Sequence, residues 1–264
     1  MMRKWTVAIM ALAVGLSACD QMPVKGDAGS SPESQGTQKV TDAAQKAKVF
    51  TDLSSAYFQR RQFKIALEEI RKAISEDNRY GPAYNVLGLI YMELDEDQLA
   101  EENFRKAVDL DRADSEAHNN YGWFLCTRGR YDEGLSQFTD ALRNPLYSTP
   151  EKSIANAGLC SEKKGDMEKA EASFVKAMKL QPDYPLALLS LAQLKYRQTK
   201  LEESVRLLSH YHDVAPASAE SLWLGVRLER KLGDKDQQAA FATQLHKNFP
   251  ASREDNLMTS GQYE

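Results

Sequence analysis

The sequence predicts an all-α fold, an α-α superhelix in which pairs of antiparallel helices stack one on the next. The first observation is an internal repeat: a shift of 34 residues places residues 84–91 (YNVLGLIY) on residues 118–125 (HNNYGWFL), with Gly88 over Gly122. The second is that small and apolar residues recur later in each period, as Ala100 and Phe104 do in one unit. A unit of this length holds two amphipathic helices, and it buries its apolar face only when neighbouring units stack on it.

The unit at residues 81–114 has the order of aromatic, Leu-Gly, Tyr, Ala and Phe positions that is typical of the tetratricopeptide repeat. Its matching residues are Tyr84, Leu87, Gly88, Tyr91, Ala100, Phe104 and Ala107. Less complete matches predict six repeats, near residues 47–80, 81–114, 115–150, 151–184, 185–218 and 219–252, with a two-residue insertion around residues 144–150. We therefore expect about twelve helices, with the first helix of each repeat lining a concave groove and the degenerate sixth repeat acting as a cap.

Residues 1–18 have the composition of an export signal peptide. Arg3 and Lys4 precede an uncharged apolar stretch at residues 5–15 (WTVAIMALAVG), and small residues follow before Cys19. The apolar stretch is too short to remain as a transmembrane helix, which needs about 20 residues. Residues 16–19 (LSAC) resemble a bacterial lipobox, and this resemblance implies cleavage before Cys19 and lipidation of that cysteine, for instance with palmitate. The alternative is an ordinary signal peptide with a chance cysteine.

Three further segments follow the signal peptide. Residues 19–40 are rich in Gly, Ser, Pro and Asp and lack apolar periodicity, which predicts a flexible tether that carries lipidated Cys19. The superhelix is predicted at residues 41–254 and a C-terminal tail at residues 255–264. The chain has a formal net charge of −4, and loss of Arg3 and Lys4 with the signal makes it more negative. This charge argues against a nucleic-acid partner.

No catalytic residue is predicted, although residues 118–126 (HNNYGWFLC) contain the residue types of a papain-like site. On one helix His118 and Cys126 would lie about 12 Å apart along the axis, whereas a nucleophile and its base need about 3 Å. The sequence also has no phosphate-binding glycine loop, no G-x-S-x-G motif and no H-E-x-x-H motif. We therefore predict that the protein is not an enzyme and has no metal, no cofactor and no small-molecule substrate.

Cys126 and Cys160 are predicted to form a disulfide. They lie on the first helices of the third and fourth repeats, which are neighbours in the stack, and export places the chain in an oxidising compartment. The alternative is a pair of buried free thiols.

The concave groove is the predicted partner-binding surface. First-helix positions 2, 5, 9, 12 and 13 of a tetratricopeptide repeat line this groove, and Trp223 takes an equivalent place in the last repeat. Asparagine amides suit a peptide backbone, while apolar side chains suit its side chains. The predicted groove residues are Thr51, Ser55, Phe58, Gln59, Asn85, Leu89, Met92, Asn119 and Trp123. The alternative is that Phe58, Met92 and Trp123 only fill gaps between helices.

Three stretches go beyond generic repeat positions: residues 119–126 (NNYGWFLC), 146–171 (LYSTPEKSIANAGLCSEKKGDMEKAE) and 221–234 (SLWLGVRLERKLGD). With the lipobox and the six repeats, they resemble the type IV pilus biogenesis lipoproteins of the PilF/PilW group, the pilotins of the secretin pore. The resemblance covers essentially the whole chain from Cys19 on.

This resemblance implies a non-enzymatic, lipid-anchored scaffold on the periplasmic face of the outer membrane. Such a scaffold binds secretin subunits and promotes their outer-membrane localisation and multimerisation, and so supports pilus (fimbrium) biogenesis and twitching motility. Asp20 fits least well, because it resembles an inner-membrane retention signal and leaves the inner membrane as an alternative location. The alternative function is a generic periplasmic adaptor for cell-wall enzymes or for another secretion system, because the fold alone does not identify the client.

Overall fold

The computed structural model describes residues 32–263, with side chains from residue 42 onward. The predicted signal peptide, Cys19 and Asp20 lie outside the described residues. The described residues from 41 onward form one compact unit. The described residues contain thirteen α-helices and no strand, which confirms the all-α prediction. The helices are α1 (Pro32–Gln59), α2 (Phe63–Glu76), α3 (Gly81–Glu93), α4 (Asp97–Leu110), α5 (Ser115–Thr127), α6 (Tyr131–Ala141), α7 (Pro150–Lys164), α8 (Met167–Leu180), α9 (Pro185–Arg197), α10 (Leu201–Val214), α11 (Ala219–Leu232), α12 (Lys235–Asn248) and α13 (Arg253–Thr259).

Helix α1 begins at Pro32, inside the segment that the sequence analysis assigns to the tether. Residues 32–40 are therefore helical, although their lack of apolar periodicity predicts a flexible tether up to residue 40. Proline is favoured at the first position of a helix, where its missing N–H costs nothing, and the Glu, Gln and Lys residues that follow are good helix formers.

The predicted C-terminal tail also contains a helix, α13. The Ser252 hydroxyl caps it by accepting a hydrogen bond from the backbone N–H of Asp255, and the carboxylate of Asp255 contacts His246 at 3.0 Å. Leu257 and Met258 pack against the buried residues of α11 and α12. The predicted tail is therefore partly helical, because it supplies a cap and two apolar side chains to the last helix pair.

Five of the six repeats close their two helices by packing a large side chain against a residue with little or no side chain. Phe104 of α4 packs on Gly88 of α3, where a Cβ atom would lie 2.8 Å from the ring. The same pairing, sixteen residues apart, recurs at Gly122 with Phe138, Gly158 with Phe174, and Gly225 with Phe241. In the α9–α10 pair the corresponding residues are Ala192 and Leu208, both buried. Ala192 adds a methyl group where the four repeats with a Gly–Phe pair have glycine, and Leu208 is smaller than the phenylalanine of those repeats, so the two helices still pack closely.

The turn between the two helices of a repeat also recurs. One residue with positive φ lies in each turn, and it is glycine in three repeats. The residues are Arg61, Asp95, Gly129, Gly165, Thr199 and Gly233. Their spacing follows the period of the repeat, lengthened by two residues where the insertion at residues 144–150 intervenes.

The first helices form the inner row of the stack. The first helices α3, α5, α7, α9 and α11 follow one another with Cα atoms within 8 Å, whereas the backbones of α2, α4, α6, α8, α10 and α12 do not come this close to one another. A stack whose first helices approach and whose second helices diverge is curved, with the first helices on the inside. The row of first helices is therefore the concave surface of the repeat unit.

Gly134 of α6 provides a test of this close packing. A Cβ at residue 134 would lie 2.7 Å from the carbonyl oxygen of Gly122 and would overlap the sulfur of Cys126. Helix propensity alone favours alanine over glycine by about 1 kcal/mol. We nevertheless expect Gly134→Ala to lower the free energy of unfolding by about 1–3 kcal/mol, because backbone atoms must shift. Urea denaturation measures this, with Ser136→Ala on the exposed face of α6 as the control; stabilisation by Gly134→Ala would contradict the packing.

Candidate functional site

A row of asparagine side chains runs along the concave surface and joins three successive first helices. We call Asn85, Asn119, Asn120 and Asn156 the amide ladder. Nδ2 of Asn120 on α5 donates to Oδ1 of Asn85 on α3 at 3.2 Å. Oδ1 of Asn119, also on α5, accepts from Nδ2 of Asn156 on α7 at 3.0 Å. Nδ2 of Asn119 donates to Oδ1 of Asn120 at 3.2 Å, which links the two halves.

The two ends of the amide ladder retain hydrogen-bonding capacity. An asparagine amide offers two donor hydrogens and an acceptor oxygen. Among the described residues, Nδ2 of Asn85 has no acceptor and Oδ1 of Asn156 has no donor. The ladder thus presents an N–H donor on α3 and a carbonyl acceptor on α7. A polypeptide backbone carries both complementary groups at every residue except proline.

The insertion at residues 144–150 holds the amide ladder in place. Tyr147 contacts the hydroxyl of Ser153 at 3.1 Å, and that hydroxyl donates to Oδ1 of Asn119 at 3.0 Å. Burial raises the pKa of the Tyr147 hydroxyl above its ordinary value, so the group stays protonated at neutral pH. The carboxylate of Glu116 accepts from Thr149 at 3.1 Å and from Lys152 at 2.7 Å, which fastens the insertion to α5.

Two of the predicted groove residues are not available to a partner. Asn119 is 1% exposed, because its oxygen is used by Ser153 and Asn156. Thr51 is 4% exposed, and its hydroxyl donates to the carbonyl oxygen of Ala47 in the preceding turn of α1. The prediction that these two residues are exposed in the groove is wrong, because position in the repeat does not determine which way a polar group turns. Asn119 instead links Asn120 to Asn156 within the ladder, and the Thr51 hydroxyl forms its hydrogen bond with the backbone of its own helix.

Three other polar residues of the predicted set differ in how much of their surface is free. Ser55 is partly buried, and its hydroxyl donates to the carbonyl oxygen of Thr51. Gln59 is exposed, and its amide has no hydrogen-bond partner in the part of the chain that is described. Asn85 is 8% exposed, and its free donor belongs to the ladder.

The predicted apolar groove residues are half-buried. Phe58 packs on Phe63, with ring centroids 6.0 Å apart. Leu89 and Met92 cover the buried cluster around Phe104. Trp123 packs on the cluster that contains Cys126, Phe138 and Cys160. Each side chain therefore fills a gap between helices, as the alternative interpretation predicts, and still leaves part of its surface open in the groove.

Two residues of the ladder, Asn120 and Asn156, are absent from the predicted groove set. Both are partly exposed, unlike Asn119. A periodic signal could have found them, because residue 156 follows residue 120 by one period plus the two-residue insertion. The generic groove positions include residues 119 and 155, which precede Asn120 and Asn156, but neither of these two asparagines.

His118 and Cys126 do not form a nucleophilic pair. The ring nitrogens of His118 contact Oε1 of Gln137 at 2.7 Å and the carbonyl oxygen of Arg112 at 3.2 Å. Cys126 is joined to Cys160 in a disulfide, with their Cα atoms 5.6 Å apart, and this bond ties α5 to α7. No thiol is therefore available at residue 126.

No set of three or more His, Cys, Asp or Glu side chains within the described residues is arranged to hold a metal ion. None of the helices in that part of the chain combines the length and the hydropathy needed to cross a membrane.

Comparison with known proteins identifies the repeat and the family. Models of the tetratricopeptide repeat family match residues 81–114, 151–184 and 98–149. The chain is 30% identical over 250 residues to the type IV pilus assembly protein PilF of Pseudomonas aeruginosa, covering 93% of this chain and 94% of that protein. The chain belongs to the PilF family. The sequence-based predictions of fold and family are thus confirmed, and the matches at 81–114 and 151–184 coincide with two repeats assigned from the period.

Solved structures of PilF-family proteins show the same fold. The crystal structure of PilW, described as a widely conserved type IV pilus biogenesis factor, superposes with a TM-score of 0.72 at 32% identity, covering 81% of this chain and 98% of that one. The structure of Pseudomonas aeruginosa PilF superposes with a TM-score of 0.73 at 27% identity, covering 83% and 99%. The chain is accordingly a tetratricopeptide protein of the type IV pilus biogenesis factors.

Proposed function

We propose that this protein is a non-enzymatic pilotin: a lipid-anchored scaffold that binds secretin subunits of the type IV pilus and promotes their outer-membrane localisation and multimerisation. Membership of the PilF family supports the connection with pilus biogenesis. The observation that supports polypeptide binding is the amide ladder along the concave surface, where a donor on Asn85 and an acceptor on Asn156 have no partner among the described residues.

The ladder suits the backbone of the client, and its neighbours suit the client's side chains. A backbone carbonyl accepts from Nδ2 of Asn85, and a backbone N–H donates to Oδ1 of Asn156. The partly open faces of Leu89, Met92 and Trp123 contribute apolar contact beside these hydrogen bonds. Backbone recognition through amides together with apolar pockets is a general mode of peptide binding. The disulfide and the insertion hold α5 and α7 together, which lowers the entropy cost of binding.

The anchor turns binding into localisation. Lipidation at Cys19, as the lipobox resemblance implies, would place the scaffold on a membrane, and more than one acyl chain is needed for stable attachment. A secretin segment held in the groove then meets other subunits at a raised local concentration. We assign the anchor to the outer membrane, where the client pore assembles. Retention at the inner membrane, which Asp20 suggests, would place the scaffold away from that site.

The test is complementation of a strain from which the gene is deleted. The deletion is expected to remove multimeric secretin from the outer membrane and pili from the surface, and the wild-type gene to restore both. The double variant Asn85→Ala with Asn156→Ala is expected to lower the affinity for the secretin subunit by about tenfold or more, because it removes both side chains that form hydrogen bonds with the client backbone. The matched control is Asn103→Ala with Asn248→Ala, which removes two asparagines from second helices.

The outcomes separate the pilotin from a generic periplasmic adaptor. Normal levels of multimeric secretin and normal pili in the deletion strain would overturn the proposal and favour a client among cell-wall enzymes or another secretion system. Equal effects of the ladder variant and the control variant would show that the amide ladder does not hold the client. Fractionation of the complemented strain reports the membrane, and recovery of the protein with the inner membrane would contradict the assigned location.

A further inference from the structure

A second polar site lies at the other end of the repeat unit. A pocket of about 630 Å³ opens between α9, α11 and the residues that follow α13. Tyr196 of α9 forms one wall, Arg227, Arg230 and Lys231 of α11 form another, and residues 261–263 form the third. None of the predicted groove residues lines it, and it does not include the amide ladder.

The three cations of the pocket rest on aromatic rings. The guanidinium carbon of Arg227 lies 4.8 Å from the ring centroid of Tyr196, and Nζ of Lys231 lies 4.3 Å from the same centroid. The guanidinium carbon of Arg230 lies 4.2 Å from the ring centroid of Tyr263. Stacking on a ring orients a guanidinium and leaves its N–H groups directed along its edge.

None of these cations forms an ion pair with a carboxylate in the described residues. By contrast, Lys195 and Arg197 on α9 pair with Glu171 and Glu162, at 2.5 and 2.7 Å. The cations of the pocket lie at positions i, i+3 and i+4 of one helix and therefore repel one another.

Arg227 is the least satisfied of the three cations. Its Nε is shielded from solvent and has no hydrogen-bond partner among the described residues. Burial lowers the pKa of Arg227 below its ordinary value, which reports the cost of keeping this charge out of water. A bound anion would relieve the repulsion among the three charges and offset the cost of burying Arg227.

We propose that this pocket binds a carboxylate side chain of a polypeptide that lies in the concave groove. Tyr196 and Arg227 are on first helices, so the pocket belongs to the same concave surface as the amide ladder. Guanidinium groups match carboxylates in bidentate geometry, and the rings of Tyr196 and Tyr263 suit the methylene groups of Asp or Glu. The choice of a polypeptide as ligand rests on the proposed function. The partner segment is therefore expected to contain an acidic residue beyond the part that contacts the ladder.

The experiment measures binding of a fluorescein-labelled octaglutamate peptide to the purified full-length protein by fluorescence anisotropy, with octaglutamine as the neutral comparison. Octaglutamate is expected to bind at low salt and octaglutamine is not. The double variant Arg230→Gln with Lys231→Gln is expected to weaken octaglutamate binding by about tenfold or more. The matched control is Lys235→Gln with Lys247→Gln, which removes two exposed lysines of α12 and is expected to leave the affinity within about twofold.

Three results would overturn the site. The first is an absence of octaglutamate binding to the wild-type protein. The second is an equal loss in both double variants, which would indicate general attraction to a basic surface. The third is stronger competition by inorganic phosphate or by vesicles containing phosphatidylglycerol, which would indicate an anionic headgroup in place of a polypeptide. A failure of octaglutamate to bind would overturn the pocket and leave the pilotin proposal unaffected. Normal secretin multimers in the deletion strain would overturn the pilotin proposal and leave octaglutamate binding to the pocket unaffected.

Discussion

Replacing Phe104 by alanine is expected to lower the free energy of unfolding by about 3–5 kcal/mol. The side chain is fully buried and is shared by three helices. It packs on Gly88 of α3, and its ring centroid lies 6.0 Å from that of Tyr121 and 5.6 Å from that of Phe124 on α5. Alanine would leave a cavity at the junction of two repeats, where the backbone at Gly88 has no side chain with which to fill it.

Urea denaturation followed by circular dichroism measures this loss. The control is Leu99→Ala, on the exposed side of the same helix, for which we expect less than about 1 kcal/mol. A second arm tests the repeat directly. The double variant Gly88→Ala with Phe104→Leu reproduces Ala192 and Leu208 of the α9–α10 pair. We expect it to lower the free energy of unfolding by less than Phe104→Ala does. Equal effects of Phe104→Ala and Leu99→Ala would contradict the role assigned to the Phe104 side chain.

Loss of the disulfide is expected to lower the free energy of unfolding by about 3–4 kcal/mol. Cys126 and Cys160 are 34 residues apart, and opening a loop of this length restores that much conformational freedom to the unfolded chain. Removing both cysteines, as Cys126→Ser with Cys160→Ser, avoids leaving one buried thiol without its partner. Because the disulfide joins α5 to α7, the same variant should also weaken the link between Asn119 and Asn156.

Reduction of the wild-type protein supplies the control. Dithiothreitol should lower the stability of the wild type to about that of the double variant and should leave the double variant unchanged. Mass spectrometry under non-reducing conditions, on protein isolated from the periplasmic side, should find neither thiol alkylated. Two alkylated thiols, or a denaturation midpoint that dithiothreitol does not move, would contradict the disulfide.

The repeat architecture could be predicted from the sequence because its determinants are local and periodic. Glycine and phenylalanine recur sixteen residues apart, and this spacing alone indicates two helices that approach closely at one level. The neighbouring positions of Cys126 and Cys160 follow from the same period. Helix α13 begins one period after α11, but its seven residues have neither the aromatic nor the Leu-Gly positions of the repeat, so the periodic pattern does not reveal it. Its stability depends on a cap at Ser252 and on contacts with α11 that only the folded chain brings together.

The candidate sites were harder to predict, because they depend on the orientation of side chains. The period places Asn119 at a groove position, but the hydroxyl of Ser153 and the amide of Asn156 draw its oxygen inward. Its neighbour Asn120 takes the more open place. The basic pocket combines Tyr196 with α11 and with Tyr263, which are far apart in sequence and share no motif.

The most direct test of the central claim, that the concave surface holds the secretin polypeptide, is site-specific photo-crosslinking in living cells. A photoreactive amino acid at Met92, half-buried on the first helix α3, should crosslink to the secretin subunit. The same amino acid at Glu102, exposed on the second helix α4, should not. A secretin crosslink from residue 102 that equals or exceeds that from residue 92 would contradict the account.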